Sequence, residues 1–413
     1  MTHFRHDSGS AFPDAPPCGT IAVDTWSGPP LVVALPTEPA ASDPEATMPQ
    51  SDALAEARAL FTGPDGTVRS VVAADGGPWR GPAVVTPAGS CRPGAPVGLA
   101  HGPSAGRLDA AYTGADGSIQ VMRYVPGCGW HGSVAAAPTG TCTPGAAVTL
   151  AHQRTRDQLD VLCTGADGAV LTLWSGDDGR WNGPAALTPP GTCVPGAPVG
   201  LGRRGPAERL EAVYAAGDGS VQALWADVDH PWHGPVVLAP PGTCAPGTAV
   251  ALASQEDAGR LTALFTGADG SVRVLRADGG GPWTAAGAVA PASGCAPRSP
   301  RPRAYGKSAE RLDAVVAGAD GSVLALSAAG EPGWRGPVAA APPGTCAPGT
   351  AIGLTLRAAD RLEAVFAGAD GGVRAPSTRR DGSWHEPVEI AAPGSAAGGS
   401  AVALAHRGPV PFA

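Results

Sequence analysis

Two pairs of tryptophans carry the clearest chemistry in this sequence. Trp174 precedes Trp181 by the same seven positions that separate Trp225 from Trp232, and Arg180 and His233 stand beside them. An indole offers a flat apolar face to the C–H side of a pyranose ring, while guanidinium or imidazole N–H groups bond its hydroxyls. Trp174, Trp181, Trp225, Trp232, Arg180 and His233 are therefore candidate carbohydrate-binding residues. The competing role for such rings is to serve as apolar wedges between structural units. A second constellation is His101, His152 and His406, which hold equivalent places in the repeat described below. Three converging neutral imidazoles can bind zinc or another divalent transition metal, so these residues are a candidate metal site; nothing else in the sequence calls for a cofactor. No Ser/His/Asp, H-E-x-x-H or phosphate-loop signature points to a particular reaction.

These residues fall on a strict beat. The Asp-Gly aspartates Asp65, Asp116, Asp167, Asp218, Asp269, Asp320 and Asp370 stand 51, 51, 51, 51, 51 and 50 apart. A Trp series (Trp79, Trp130, Trp181, Trp232, Trp283, Trp334, Trp384) and a Cys series (Cys91, Cys142, Cys193, Cys244, Cys295, Cys346) keep the same period. Within one unit, residues 96–137 read as four short strand-like pieces, with Leu108, Ala110 and Tyr112 alternating against Asp109, Ala111 and Thr113. That alternation is the period of a strand. The Asp-Gly step between the second and third pieces is a tight-turn signal, and Gly and Pro every few residues exclude helical repeats.

A four-stranded unit of about 50 residues repeated around a ring is the signature of a β-propeller. The sequence thus predicts an all-β, seven-bladed propeller over residues 51–413. Residues 1–50 form a Pro- and Ala-rich extension in which Trp26-SGPPLVVALP imitates a fourth strand that could dock on the ring. The first unit, beginning at Ala55, lacks its own first strand, whereas Ser400–His406 writes a spare one that matches PVGLAHG. The C-terminal strand is expected to close the ring. Arg and an acid two residues apart on the second strand, as in Arg107/Asp109 and Arg209/Glu211, share one face and are expected to pair as scaffold. Loops that depart from the repeat carry singletons, His230, Tyr305, Lys307 and Glu331 among them, where one-off functions would be built.

Composition narrows the partners. With a net charge of −8, 28 basic residues of which Lys307 is the single lysine, and no long basic run, the chain lacks the electrostatic footprint of a nucleic-acid binder. No apolar stretch is long enough to span a membrane and no signal peptide is legible, so a cytoplasmic location is the default expectation. Nine cysteines, an odd number without a C-x-x-C, read as mostly free buried thiols. Cys128 and Cys163 break the beat and are the expected pair under oxidising conditions. The 60 Gly and 45 Pro of the 413 residues, which without a period would suggest disorder, are mostly the punctuation of the turns.

The recurrent line of Trp, Gly-Pro, a strand, Pro-Gly, a small-residue strand and then R-L-D/E with G-x-D-G resembles the PLL-type bacterial lectin propellers over residues 51–413. The resemblance implies seven blades and binding of fucose-like sugars in grooves between them. Third strands in that family tend to be rich in aromatics, whereas the matching positions here are Val72, Arg123, Trp174, Trp225, Arg276, Ser327 and Ser377. One or two sites are thus expected rather than seven. The leading functional expectation is a lectin-like binder of a glycan or small molecule. The alternatives are a small-molecule biosynthetic enzyme of cyclase or lyase type, working at the variable-loop face or channel mouth with or without a metal, and a protein-interaction platform.

Overall fold

The computed structural model describes residues 56–74, 77–102, 106–153, 158–175, 179–205, 209–227, 231–255, 259–290, 295, 303–308, 311–329, 333–357, 361–379 and 382–407, with backbone alone at 286, 303–308, 311, 329 and 407. The 1–50 extension lies outside the described residues, as do His230 and Glu331.

Asp-Gly turns and Pro-Gly loops divide the chain into short strands. Blade 1 holds β1 (Glu56–Thr62), β2 (Val68–Ala74) and β3 (Arg80–Val84). Blade 2 holds β4 (Val97–His101), β5 (Leu108–Thr113), β6 (Ile119–Val125) and β7 (Gly129–Ala137). Blade 3 holds β8 (Val148–Gln153), β9 (Gln158–Thr164), β10 (Val170–Ser175) and β11 (Trp181–Ala186). Blade 4 holds β12 (Val199–Arg204), β13 (Arg209–Ala215), β14 (Val221–Ala226) and β15 (His233–Ala239). Blade 5 holds β16 (Val250–Gln255), β17 (Arg260–Thr266), β18 (Val272–Asp278) and β19 (Trp283–Ala290). Blade 6 holds β20 (Arg303–Ser308), β21 (Arg311–Ala317), β22 (Val323–Ala329) and β23 (Trp334–Ala341). Blade 7 holds β24 (Gly353–Arg357), β25 (Arg361–Ala367), β26 (Val373–Ala375) and β27 (Val388–Ala391), and β28 (Ala403–Arg407) follows. β26 is short because Pro376 has no N–H to offer the ladder, which resumes at the Glu363–Ser377 bridge.

The result is seven four-stranded antiparallel sheets. The first strands of successive blades touch one another around the ring and form its inner wall. Blade 1 has the order β28-β1-β2-β3, with Glu56 opposite Arg407 and Leu60 opposite Ala403. The C-terminal strand therefore completes the blade begun by the N-terminal strands, as the spare strand in the sequence required.

Packing explains the rest of the pattern. The second strand of a blade is covered on both faces, so β5 is buried at every residue and reads as a small, apolar run rather than an alternating one. Each Trp of the periodic series packs in one layer between two blades: Trp130 in 1/2, Trp181 in 2/3, Trp232 in 3/4, Trp283 in 4/5, Trp334 in 5/6, Trp384 in 6/7 and Trp79 in 7/1. Rings of this size bury roughly 150–250 Å² each, and losing one from a core costs roughly 3–5 kcal/mol. The series is thus primarily an inter-blade wedge.

The Asp-Gly turns hold the opposite rim. Asp116 Oδ1 accepts from the backbone N–H and hydroxyl of Ser118 at 3.0 and 2.6 Å, and Gly117, at φ 80°, approaches the next loop so closely that a Cβ would meet the Cys142 carbonyl oxygen at 2.3 Å. Only glycine fits there. Three of these aspartates are held at about 2 against an ordinary 3.8, Asp65 and Asp269 chiefly by the hydroxyls of Thr67 and Ser271, Asp370 chiefly by Arg374. A carboxylate whose pKa falls on folding stabilises the fold above its unfolded value and loses that contribution as pH falls through its folded one. The melting temperature is therefore expected to drop between about pH 4 and pH 2, and Asp65→Asn to flatten part of that drop in calorimetric scans.

Candidate ligand-binding clefts between the blades

Which side chains can meet is decided by strand register. Residues directly opposite in a sheet share a face, so Asp109, Arg123 and His131 line one face of blade 2, Asp160, Trp174 and Asn182 one face of blade 3, and Glu211, Trp225 and His233 one face of blade 4. These faces look toward the following blade. Across the gap the following blade presents its wedge: Trp283 Nε1 donates to Glu211 at 2.6 Å and Trp79 Nε1 to Glu363 at 3.2 Å. Clefts 4/5 and 7/1 thus set a second-strand carboxylate of one blade against the indole of the next.

This register re-sorts the two tryptophan pairs. Trp174 pairs with Asn182, but Trp181 pairs with Ser175, so the two rings point to opposite faces of blade 3. Trp181 belongs to cleft 2/3 and is 7 % exposed; Trp174 faces cleft 3/4, which Trp232 enters from blade 4. Trp225 likewise shares cleft 4/5 with Trp283, not with Trp232. The His233 ring stacks on Trp225 with centroids 5.6 Å apart, and the Arg209 guanidinium lies 4.9 Å from the same ring. Arg180 is exposed at the edge of blade 3, before Trp181.

Clefts 2/3, 4/5 and 7/1 are filled by the protein's own side chains. In cleft 2/3, Asp109 takes Arg107 Nε at 3.0 Å and Arg123 Nε at 2.8 Å, and His152 Nε2 lies 2.7 Å from it. Burial opposes its ionisation, but the bond with His152 and the charges of Arg123 and Arg107 outweigh that and hold it below the usual carboxylate range. With Asp109 so occupied, the Trp181 indole N–H has no partner. In cleft 4/5, Arg204 pairs with Glu211 at 2.9 Å and donates to the Gly281 carbonyl at 2.6 Å. Burial raises the Glu211 pKa, with Arg204 and Trp283 acting against it. Cleft 7/1 repeats the device: Arg357, 1 % exposed, bonds Glu363 at 2.7 Å and the carbonyls of Ala74 and Gly77 at 2.7 and 3.0 Å, with its guanidinium 5.4 Å from the Trp79 ring.

Arg357→Leu is expected to destabilise the protein by about 3–5 kcal/mol in urea titrations, since it leaves a buried carboxylate uncompensated. Arg273→Leu, at an exposed pair with Asp269, is expected to cost no more than about 1 kcal/mol.

Cleft 6/7 is open. A bulky group that several of the others carry is missing: the residue opposite the second-strand position is Ser327, where blades 2, 3, 4 and 5 hold Arg123, Trp174, Trp225 and Arg276. A solvent-open pocket of about 150 Å³ lies between Asp313, Ser327 and Arg335 of blade 6 and Leu354, Leu362 and Trp384 of blade 7. Asp313, 5 % exposed, shares a face with Ser327 and Arg335. The arrangement combines a carboxylate acceptor, a guanidinium donor, a small hydroxyl, an indole and an aliphatic lining. Asp313 falls in the Arg–acid series expected to be scaffold, and the sequence did not single out Ser327, Arg335 or Trp384 as a site; the available signal was the loss of bulk at 327.

The three histidines take different surroundings. His152 is buried on Asp109, whereas His101 and His406 flank β5 and β1 near the ring mouth. The protein around His101, and then the neighbouring His406 and His152, lower its pKa. Among the described residues, no three His, Cys, Asp or Glu side chains gather in a group that could hold a metal ion. Cys163 is not the partner of Cys128: it is a free buried thiol on β9, whose side chain meets Cys142. The predicted Arg–acid pairs do form, Arg107–Asp109 at 3.0 Å and Arg209–Glu211 at 3.8 Å. Tyr305 and Lys307 are described in their backbone alone.

No protein-family model and no curated protein sequence matches the chain. Among solved structures it is similar to the BP39L lectin from Burkholderia pseudomallei, at 24 % identity and a TM-score of 0.76, covering 81 % of this chain and 95 % of that one. It is also similar to AofleA from Arthrobotrys oligospora, at 15 % identity and a TM-score of 0.55 over 79 % of this chain and 92 % of that one. The SapL1 lectin, solved in complex with alpha methyl fucoside, matches at 18 % identity and a TM-score of 0.52, over 74 % of this chain and 99 % of that one. At these identities the likeness establishes a shared fold.

Proposed function

We propose that this protein is a carbohydrate-binding, lectin-like propeller that takes a fucose-type sugar in the cleft between blades 6 and 7. The observation that carries the reading is the open pocket in which a buried carboxylate, a guanidinium and an indole face one another. Sugar hydroxyls would donate to Asp313, in exchange with that carboxylate's contacts within the protein, and accept from Arg335, charge-assisted bonds that are stronger than neutral ones. The apolar side of the pyranose would lie against Trp384, and the methyl group of a 6-deoxy sugar would suit Val338, Leu354 and Leu362 better than a hydroxymethyl, whose oxygen would be left unpaired there. The fold shared with SapL1, which binds a fucoside, supports the choice of sugar. Trp174 with Trp232, and Trp225 with His233, would give shallower contact surfaces for more of the same glycan, with Arg180 on the rim. None of this chemistry requires a metal.

Isothermal titration of the full-length protein with methyl α-L-fucoside tests the proposal. Saturable heat, with weaker binding of the corresponding α-galactoside, is the expected result; no heat and no change in tryptophan fluorescence at millimolar fucoside would sink it.

A further inference from the structure

Three of the six periodic cysteines share one hydrogen-bond partner. Sγ of Cys91 donates to the Gly66 carbonyl at 3.3 Å, and those of Cys244 and Cys346 to Gly219 and Gly321 at 3.4 Å each. Cys142 departs from the series: its Sγ lies 3.1 Å from Sγ of Cys163. The two residues are 1 % and 0 % exposed.

Position 163 is itself a departure. The equivalent residue is Phe61, Tyr112, Tyr214, Phe265 and Phe366 in five other blades and Val316 in blade 6, and the five rings are buried. Blade 3 exchanges the ring for a thiol at the place where a second thiol faces it. A thiol is a weak hydrogen-bonding group, so packing alone does not account for the exchange.

The pair also differs in chemistry from its relatives. Burial pushes Cys91, Cys244, Cys295 and Cys346 up to about 11 and Cys193 to about 12, which keeps these thiols protonated and unreactive. The hydrogen bond between Cys142 and Cys163 instead lowers Cys142, while that bond, together with burial, raises Cys163. Cys142 is accordingly the nucleophile of the two.

We infer that Cys142 and Cys163 are an oxidisable dithiol, a modification site at which a small two-electron thiol oxidant closes a disulfide between the loop leaving blade 2 and the second strand of blade 3. The sulfurs need to approach by about 1 Å to reach a bonded separation of ~2.05 Å. With a diazene such as diamide, the Cys142 thiolate adds across N=N, forming an S–N bond while the second nitrogen takes a proton. The Cys163 thiolate then attacks Cys142 Sγ; the S–S bond forms, the S–N bond breaks, and the leaving nitrogen takes the second proton. The thiols lose two electrons and two protons, and the diazene gains both as a hydrazine. The bond joins positions 21 apart in the chain and lies within the apolar layer between blades 2 and 3. Such a cross-link restricts the unfolded chain and raises resistance to unfolding.

Diamide treatment of the native full-length protein, alkylation of remaining thiols and peptide mapping without reduction provide the test. The expected result is a Cys142–Cys163 cross-link, the mass of two hydrogens lost and a higher melting temperature than the reduced protein. Cys163→Ser and Cys142→Ser should each abolish both changes. Two results would overturn the inference: new cross-links confined to other cysteines, or alkylation of both Cys142 and Cys163 at a diamide excess that oxidises the urea-unfolded chain. The wild-type map decides the matter even if a variant fails to fold.

Discussion

Asp313→Ala is expected to abolish binding of methyl α-L-fucoside. Asp313 supplies the pocket's buried carboxylate, and hydrogen bonds to a charged group contribute about 1.5–3 kcal/mol each. Losing two of them weakens binding by roughly 10²- to 10⁴-fold, beyond detection for a monosaccharide. Asp313→Asn keeps the shape and one acceptor and should retain a measurable remnant. Ser327→Trp approaches the same question through space, since it places in blade 6 the ring that blades 3 and 4 carry at Trp174 and Trp225; it too is expected to abolish binding. Asp65→Asn, at an Asp-Gly turn on the opposite rim, should leave affinity unchanged. Calorimetric titration of the four variants separates these outcomes, and wild-type affinity in Asp313→Ala would contradict the assignment.

Truncation after Ala397 is expected to open the ring. It removes β28, whose Ala403, Leu404 and Ala405 are buried and whose backbone pairs with β1 from Glu56 to Leu60. The bared edge of β1 becomes a template for another chain. Loss of a buried leucine and its neighbours costs at least several kcal/mol, which for a domain of this size lowers the melting temperature by about 5 °C or more. The truncated protein should also self-associate in light scattering. If it melted like the full-length chain and stayed monomeric, closure by β28 would be wrong.

Fold and site were unequally legible. The Asp, Trp and Cys series set the blade count, and the spare strand at Ser400–His406 identified the closure, because both are matters of period and every repeat contributes to the signal. The facing of individual rings was not readable. Whether Trp174 and Trp181 share a face depends on how the intervening hairpin sets their register, and Ser175, not Trp174, turned out to oppose Trp181. Cys163 was misassigned to Cys128 for a related reason: its neighbour is Cys142, brought to it by the inter-blade layer rather than by the chain. The pocket was hidden differently. A search for chemistry looks for groups that are present, whereas cleft 6/7 is marked by what Ser327 lacks; the acid and Trp of cleft 7/1 are closed off by Arg357 and those of cleft 4/5 by Arg204.

The most direct measurement is a crystal structure of the full-length protein with methyl α-L-fucoside. The expected result is sugar density in the cleft between blades 6 and 7, with hydroxyls on Asp313 and Arg335 and an apolar ring face on Trp384. An empty cleft 6/7 in crystals that carry the sugar elsewhere, or in which saturating fucoside leaves no density, would contradict it.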